Sequence, residues 1–192
     1  MAPSAEAVAD LGEGAIRLKW PNDLVLEGTD GVRKLAGVLG ETDGLGGPDP
    51  RAIIGIGLNT NWGHDDFPAA MAGSMTSLQE ATGRPIDHDA LLDAFLVRLD
   101  AGLDALRRGR FDAAAWTERQ VTTGRQVELI APDGAVTTVR ALGVDAATGA
   151  LVVEDSSAPT GERQVVVGEI RHVRVRDAGI PAGAATPTAA GV

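Results

Sequence analysis

The chain has 192 residues, 44% of them hydrophobic and none of them cysteine, which suits one medium domain plus a small one and excludes disulfides, thiolate metal sites and a cysteine nucleophile. A formal net charge of −10 disfavours non-specific nucleic-acid binding, which depends on basic surface. No apolar run has the length of a membrane span and no signal-peptide pattern is present, so we predict a soluble, cytoplasmic protein with neither nucleic acid nor membrane as partner.

Both lysines of the chain, Lys19 and Lys34, lie near its beginning, after a short Ala-rich helix end at residues 1–11. Every other basic position except the three histidines is arginine, so a retained lysine is a candidate for binding phosphate or carboxylate oxygens. Apolar and basic residues alternate over residues 16–20, which predicts a half-buried strand with Trp20 in the core. Pro21 breaks this strand, a second strand is predicted at residues 24–26, and turn residues at 28–31 lead to another at residues 34–39; we interpret the whole as a hairpin with a lysine on each arm.

Asn22 and Asp23 come directly after Pro21, where two interpretations are open. The first is an Asx turn, which Asn and Asp often form after proline. The second is a nucleotide site in which the amide and the carboxylate hold a phosphate and its Mg²⁺, with Asp23 as metal ligand.

Two further strands follow in the pattern. Residues 35–42 predict a long central strand, in which Gly37 marks a close approach of another group to the backbone. Residues 51–59 form a continuous apolar run, which predicts a strand buried on both faces. Gly55 and Gly57 do not form a dinucleotide fingerprint, because no helix pattern follows them; a tight sheet crossing remains one explanation for them.

The middle of the chain predicts a loop and then helices. In the polar stretch at residues 61–76, the cluster His64, Asp65 and Asp66 is typical of solvated loop residues rather than a metal site. A short helix opens with Ser-Leu-Gln-Glu at residues 77–80, a longer amphipathic helix is capped by Asp87 and ended by Gly109, and a third covers residues 111–119.

Short strands with intervening turns dominate from residue 121 onward. Their spacing predicts a small SH3-like barrel. We therefore divide the chain into a first domain at residues 1–120, a barrel at residues 121–176 and a disordered tail at residues 177–192.

Three sequence blocks resemble the biotin protein ligases: Lys-Trp-Pro-Asn-Asp at residues 19–23, Arg-Lys-Leu-Ala-Gly-Val-Leu at residues 33–39, and Gly-Ile-Gly-Leu-Asn at residues 55–59. They occur in the order and spacing of that family. Gly124-Arg125 and Gly168-Glu169 resemble the borders of its C-terminal domain. The resemblance implies an α+β fold, with a mixed β-sheet and helices in a class II synthetase-like core followed by an SH3-like barrel.

The resemblance also implies a reaction and a set of site residues. Biotin and MgATP would give biotinyl-AMP, and a lysine of a biotin carboxyl carrier protein would then take the biotin. Lys34 would be catalytic and lie between the biotin carboxylate and the ATP α-phosphate, beside Gly55 and Gly57 at the biotin ring. The ATP-binding residues implied are Lys19, Asn22, Asp23, Asn59 and Arg125, with Met75 against adenine; a salt bridge between domains is the alternative role of Arg125.

The chain departs from the family pattern at its N-terminus. The resemblance places a Gly- and Arg-rich loop over biotin, together with residues that contact the biotin ring, upstream of residue 16, and this sequence does not contain them. We therefore expect an N-terminally truncated ligase with weak or absent adenylate formation. The alternatives are a non-catalytic remnant that binds nucleotide or a protein partner and, less favoured, a lipoate protein ligase.

Overall fold

An antiparallel sheet forms the first part of the chain. The structure, a computed structural model, describes residues 15–28, 31–44, 46–130 and 134–166 and the backbone of residues 172–175. The strands of this sheet are β1 (Ile16–Lys19), β2 (Asp23–Gly28), β3 (Gly31–Asp43) and β4 (Arg51–Leu58). Their order is β1-β2-β3-β4, and every pairing is antiparallel. The two lysines lie on β1 and β3 with β2 between them, so the predicted hairpin with a lysine on each arm is wrong.

Three α-helices follow within the described residues: α1 (Leu78–Thr82), α2 (His88–Arg107) and α3 (Ala113–Glu118). The predicted cap at Asp87 is confirmed, because Asp87 accepts a hydrogen bond from the Ala90 amide, and Ser77 caps α1 in the same way by accepting one from the Glu80 amide. No helix among these described residues is long and apolar enough to cross a membrane.

The second sheet contains β5 (Gln126–Ile130), β6 (Val136–Val144), β7 (Leu151–Glu154), β8 (Glu162–Val165) and β9 (His172–Val175). Its order is β8-β7-β6-β5-β9, so β8 and β9 form the two edges and the described strands do not close into a barrel. The predicted N-terminal helix end, the Gly168-Glu169 pair and the predicted tail lie outside the described residues.

Strand β4 differs most from its prediction. All eight of its residues are exposed, and Ile53 and Ile54 keep 61% and 60% of their surface accessible. The prediction of a strand buried on both faces is therefore wrong. The apolar side chains of β4 would favour burial. They are exposed because β4 is an edge strand and none of the described elements covers it.

Helix α2 also exposes apolar side chains that its amphipathic spacing would place against a core. Leu91 packs against a small core of Leu35, Leu78 and Ile86. Further along the helix the apolar face is accessible to solvent, as six residues show: Leu92, Phe95, Leu96, Leu99, Leu103 and Leu106.

The larger core lies in the second sheet and includes Trp20, from the turn that follows β1. Trp20 is 2% exposed and packs among the buried side chains of β5, β6 and β7, which confirms its predicted role in packing. Trp116 on α3 packs at the border of the same core. The hydrophobic core therefore crosses the division predicted near residue 121.

Candidate functional site

One row of residues crosses all four strands of the first sheet. Lys19 pairs with Asp23, Asp23 pairs with Gly37, and Gly37 pairs with Gly57. Because directly opposed residues of antiparallel strands share a face, these four positions lie on one side of the sheet. The row therefore runs from charged residues on β1 and β2 to glycines on β3 and β4.

A β-bulge brings Lys34 to the same face. Leu24 pairs with Ala36 and Val25 pairs with Lys34, so Leu35 has no partner opposite it on β2. In a regular strand, residues 34 and 37 would point to opposite faces, because side chains alternate. The extra residue reverses this relationship and directs Lys34 toward Gly37 and Asp23, which is a common effect of bulges near functional sites.

Asp23 lies between the two lysines. Its Oδ1 atom is 2.6 Å from Nζ of Lys34, and its Oδ2 atom is 3.8 Å from Nζ of Lys19. The Asp23 side chain is 16% exposed and that of Lys34 is 39% exposed, so the pair lies at the border of solvent. Asp23 therefore fixes the position of the Lys34 ammonium group.

This arrangement does not suit Asp23 as a direct magnesium ligand, because both of its oxygens already face ammonium groups. In the described part of the chain, no three His, Cys, Asp or Glu side chains are grouped so that they could hold a metal ion. The residues present therefore do not fit a magnesium ion that is held by the protein alone.

Glycines leave room around the ammonium group and beyond it. A Cβ atom on Gly37 would lie 3.1 Å from Nζ of Lys34, which confirms the predicted close approach at this position. A Cβ on Gly57 would meet nothing within 4 Å, and one on Gly55 would meet only the Leu39 carbonyl at 4.0 Å. Open space, rather than a tight sheet crossing, therefore adjoins the two glycines of β4.

Two asparagine amides hold the main chain around the row. Nδ2 of Asn22 donates to the Val38 carbonyl at 2.8 Å, and the Val38 amide donates to the Asn22 carbonyl at the same distance. Nδ2 of Asn59 donates to the Thr76 carbonyl at 3.0 Å and to the Lys34 carbonyl at 3.5 Å. Both asparagines thus position strand β3, and their contact with ATP stays a prediction.

The segment after the loop joins β3 beside Lys34. Met75 forms a parallel bridge with Lys34, and the Thr76 amide donates to the Lys34 carbonyl at 2.9 Å. The buried Thr76 hydroxyl donates to Glu80, which also forms an ion pair with Arg33. The sequence did not lead us to predict Arg33, Thr76 or Glu80 as residues around the site. For Arg33, the sequence did contain a signal, because this residue directly precedes Lys34.

Arg125 lies at the junction of the two sheets, where it forms an ion pair with Glu27 of β2. This matches the second role considered for it, a salt bridge between domains. Its contact with nucleotide stays a prediction.

No protein-family model matches the chain, but curated proteins do. Bifunctional ligase/repressor BirA of Escherichia coli is 32% identical over 152 residues, which make up 78% of this chain and 45% of that protein. The biotin--[acetyl-CoA-carboxylase] ligase of Paracoccus denitrificans is 36% identical over 80 residues, 41% of this chain and 31% of that protein. The chain thus spans less than half the length of these relatives.

The fold is also shared with a solved structure. A biotin protein ligase from Aquifex aeolicus, solved in complex with biotin and ATP, superposes with a TM-score of 0.68 at 24% sequence identity. The match covers 90% of this chain and 68% of that one, so it includes both sheets of the described structure. The sequence matches and the shared fold together show that this chain is similar to the biotin protein ligases.

Proposed function

We propose that the chain attaches biotin to a lysine of a biotin carboxyl carrier protein in an ATP-dependent reaction through biotinyl-AMP. The observation that carries this proposal is the placement of Lys34 and Asp23 beside the open glycine positions of β4, on one face of the sheet. In this proposal the first sheet and the helices form a class II synthetase-like core, and the second sheet belongs to an SH3-like barrel.

Lys34 supplies the charge that the first step needs. The biotin carboxylate attacks the α-phosphorus of ATP, and the bond from that phosphorus to pyrophosphate breaks. Two anions must approach each other, and a fixed ammonium group between them stabilises the negative charge of the transition state. Asp23 holds that group at 2.6 Å, so the cation is in place before the substrates bind.

The other residues bind and orient the substrates. In this proposal Gly55 and Gly57 leave a flat surface on β4 for the biotin ring, Lys19 and Arg125 bind the phosphates, and Met75 packs against adenine. In the second step, the amine of the carrier lysine attacks the mixed anhydride and AMP leaves. Mg²⁺ would arrive with ATP, and we assign no step to it because Asp23 does not fit as its ligand.

A second candidate is a non-catalytic protein that binds nucleotide or a protein partner. The observation in its favour is the exposure of β4, since no described element closes the glycine surface and excludes water from it. The Lys-Trp-Pro-Asn-Asp block at residues 19–23 disfavours a lipoate ligase. We propose neither a nucleic-acid partner nor a membrane partner.

Biotin-dependent exchange of labelled pyrophosphate into ATP tests the proposal. We expect exchange by the chain, and a reduction of about 100-fold or more in Lys34→Ala, because removal of one positioned transition-state group has an effect of this size. Arg51→Ala serves as the matched control, since it removes an exposed cation from the far end of β4. Wild-type exchange no higher than that of Lys34→Ala would refute the enzymatic proposal, and retained ATP binding would then favour the second candidate.

A further inference from the structure

Trp20 lies inside the Lys-Trp-Pro-Asn-Asp block, yet its side chain is part of the core of the second sheet. We propose that Trp20 is a positioning residue, through which the second sheet holds the turn between β1 and β2 and so keeps Asp23 in place for Lys34. The consequence for catalysis rests on the proposed function, whereas the consequence for the position of the turn does not.

The indole is held first by packing. It is 2% exposed, although the residues on either side of it in the sequence, Lys19 and Pro21, are not buried. The other buried residues of its core cluster all belong to the second sheet: Val127, Leu129, Ala141, Val144, Leu151, Val153 and Val165. An aromatic side chain enclosed in this way has little freedom to shift, because protein interiors are close-packed.

Two hydrogen bonds then fix its orientation. The indole Nε1 atom donates to the Gly149 carbonyl at 2.8 Å, and the main-chain nitrogen of Trp20 donates to the hydroxyl of Thr122 at 3.2 Å. Thr122 is fully buried, so this hydroxyl has no access to water as an alternative partner. A buried indole N–H group needs an acceptor, which makes the contact with Gly149 specific to tryptophan.

The acceptor is itself part of an ordered turn. Gly149 has a φ angle of +74°, which favours glycine, and its amide donates to the Asp145 carbonyl at 2.7 Å. The Asp145 carboxylate accepts hydrogen bonds from the amides of Ala147 and Thr148 and from the Thr148 hydroxyl. These bonds lower the pKa of Asp145, with the Thr148 amide as the largest cause.

Beyond Trp20, the turn is attached to the first sheet. The Asn22 main chain and side chain each form a hydrogen bond with Val38 of β3, and Asp23 follows directly. The turn is thus held from two sides, by Gly149 and Thr122 on one and by Val38 on the other. Loss of the first attachment would let Asp23 move away from Lys34, and displacements of about 1 Å near reacting groups can reduce rates strongly.

Trp20→Phe tests the proposal, because it keeps an aromatic ring in the core but removes the N–H donor. The matched control is Trp116→Phe, the same substitution at the border of the same core, outside the block. Hydrogen exchange of the Val38 amide reports the position of the turn, and exchange of the Asn59 amide, which donates to the Leu35 carbonyl, reports the rest of the sheet.

We expect Val38 exchange to rise about fivefold relative to Asn59 in Trp20→Phe, the effect of losing one buried hydrogen bond, and to stay unchanged in Trp116→Phe. The rate constant of pyrophosphate exchange should fall by a similar factor, with the KM for biotin within about twofold of wild type, since the glycine surface is on β4. Equal Val38 exchange in the two variants would overturn the proposal.

The two proposals can fail separately. If the wild-type chain shows no pyrophosphate exchange, the proposed function fails, and Val38 exchange still decides the role of Trp20. If Trp20→Phe does not fold, Thr122→Val removes only the hydroxyl that accepts from the Trp20 main chain. The same rise in Val38 exchange is then expected, and its absence would overturn the proposal.

Discussion

Nζ of Lys34 and Oδ1 of Asp23 are 2.6 Å apart, the same distance that separates Arg51 and Asp49 at the far end of the sheet. The two ion pairs differ in their surroundings, because the Asp49 side chain is 72% exposed and that of Asp23 is 16% exposed. Exposed pairs contribute little to stability, since water and salt screen them. The chain thus contains a partly buried ion pair at the site and a solvated ion pair of equal length that serves as its control.

Asp23→Asn should separate the role of this ion pair in activity from its role in folding. We expect biotin-dependent pyrophosphate exchange to fall about 100-fold, because Lys34 loses the anion that fixes its position. The free energy of unfolding should fall by only about 1 kcal/mol, measured by urea titration. Asp49→Asn should change neither quantity, and equal exchange rates in the two variants would contradict the role assigned to Asp23.

Gly37→Ala should disturb Lys34 while leaving the sheet intact. The new Cβ atom would lie 3.1 Å from Nζ and 3.4 Å from Cε of Lys34, so the flexible end of that side chain must move. We expect pyrophosphate exchange to fall about tenfold, with a change in unfolding free energy of no more than about 0.5 kcal/mol. Gly40→Ala is the matched control on the same strand, because its Cβ would make an ordinary contact with Ile54 at 3.6 Å. Identical kinetics in the two alanine variants would show that the close approach at Gly37 has no function.

Gly57→Val should prevent biotin from binding, because its side chain would fill the open space beside β4. The strand itself should tolerate valine, which has a high β propensity and would meet no atom within 4 Å of its Cβ. Calorimetric titration with biotin is expected to show at least about a tenfold loss of affinity, roughly 1.4 kcal/mol. Gly28→Val at the end of β2, where a Cβ also meets nothing within 4 Å, should bind like wild type. Unchanged affinity in Gly57→Val would place the biotin ring elsewhere.

Asp145→Asn should change the dependence of stability on pH. The hydrogen bonds from Thr148 and Ala147 lower the pKa of the Asp145 carboxyl group below its usual value of 3.8. A lowered pKa means that the folded state favours the ionised form, so this stabilisation is fully present above pH 3.8 and is lost as the pH falls through the folded-state value. The variant should therefore melt at a lower temperature than wild type near neutral pH, with a difference that shrinks in acid. Thr148→Val, which keeps the amide donor, should show a smaller difference, and a pH-independent difference in Asp145→Asn would contradict the linkage.

Local sequence signals predicted much of the fold. The cap at Asp87 and the close approach at Gly37 follow from capping chemistry and the missing side chain of glycine. These features depend on residues close together in the sequence, so they can be predicted from the sequence alone.

Features set by distant residues were not predictable in the same way. The bulge at Leu35 depends on how β3 pairs with β2, and simple alternation would have placed Lys34 and Gly37 on opposite faces. The burial of Trp20 was predicted, but its acceptor lies 129 residues away in the second sheet. The exposure of β4 was missed, because an apolar run does not reveal whether a covering layer exists.

The position of Trp20 also affects how the chain unfolds and whether its second sheet can be replaced by that of a related protein. The core of the second sheet contains a large side chain from the turn after β1, so removal of the first 120 residues would leave a cavity of tryptophan size in that core. The two sheets should therefore unfold in one cooperative transition rather than in two. If the second sheet were replaced by that of a related protein, the new sheet would have to accommodate the indole of Trp20, or the turn that contains Trp20 would have to be replaced with it.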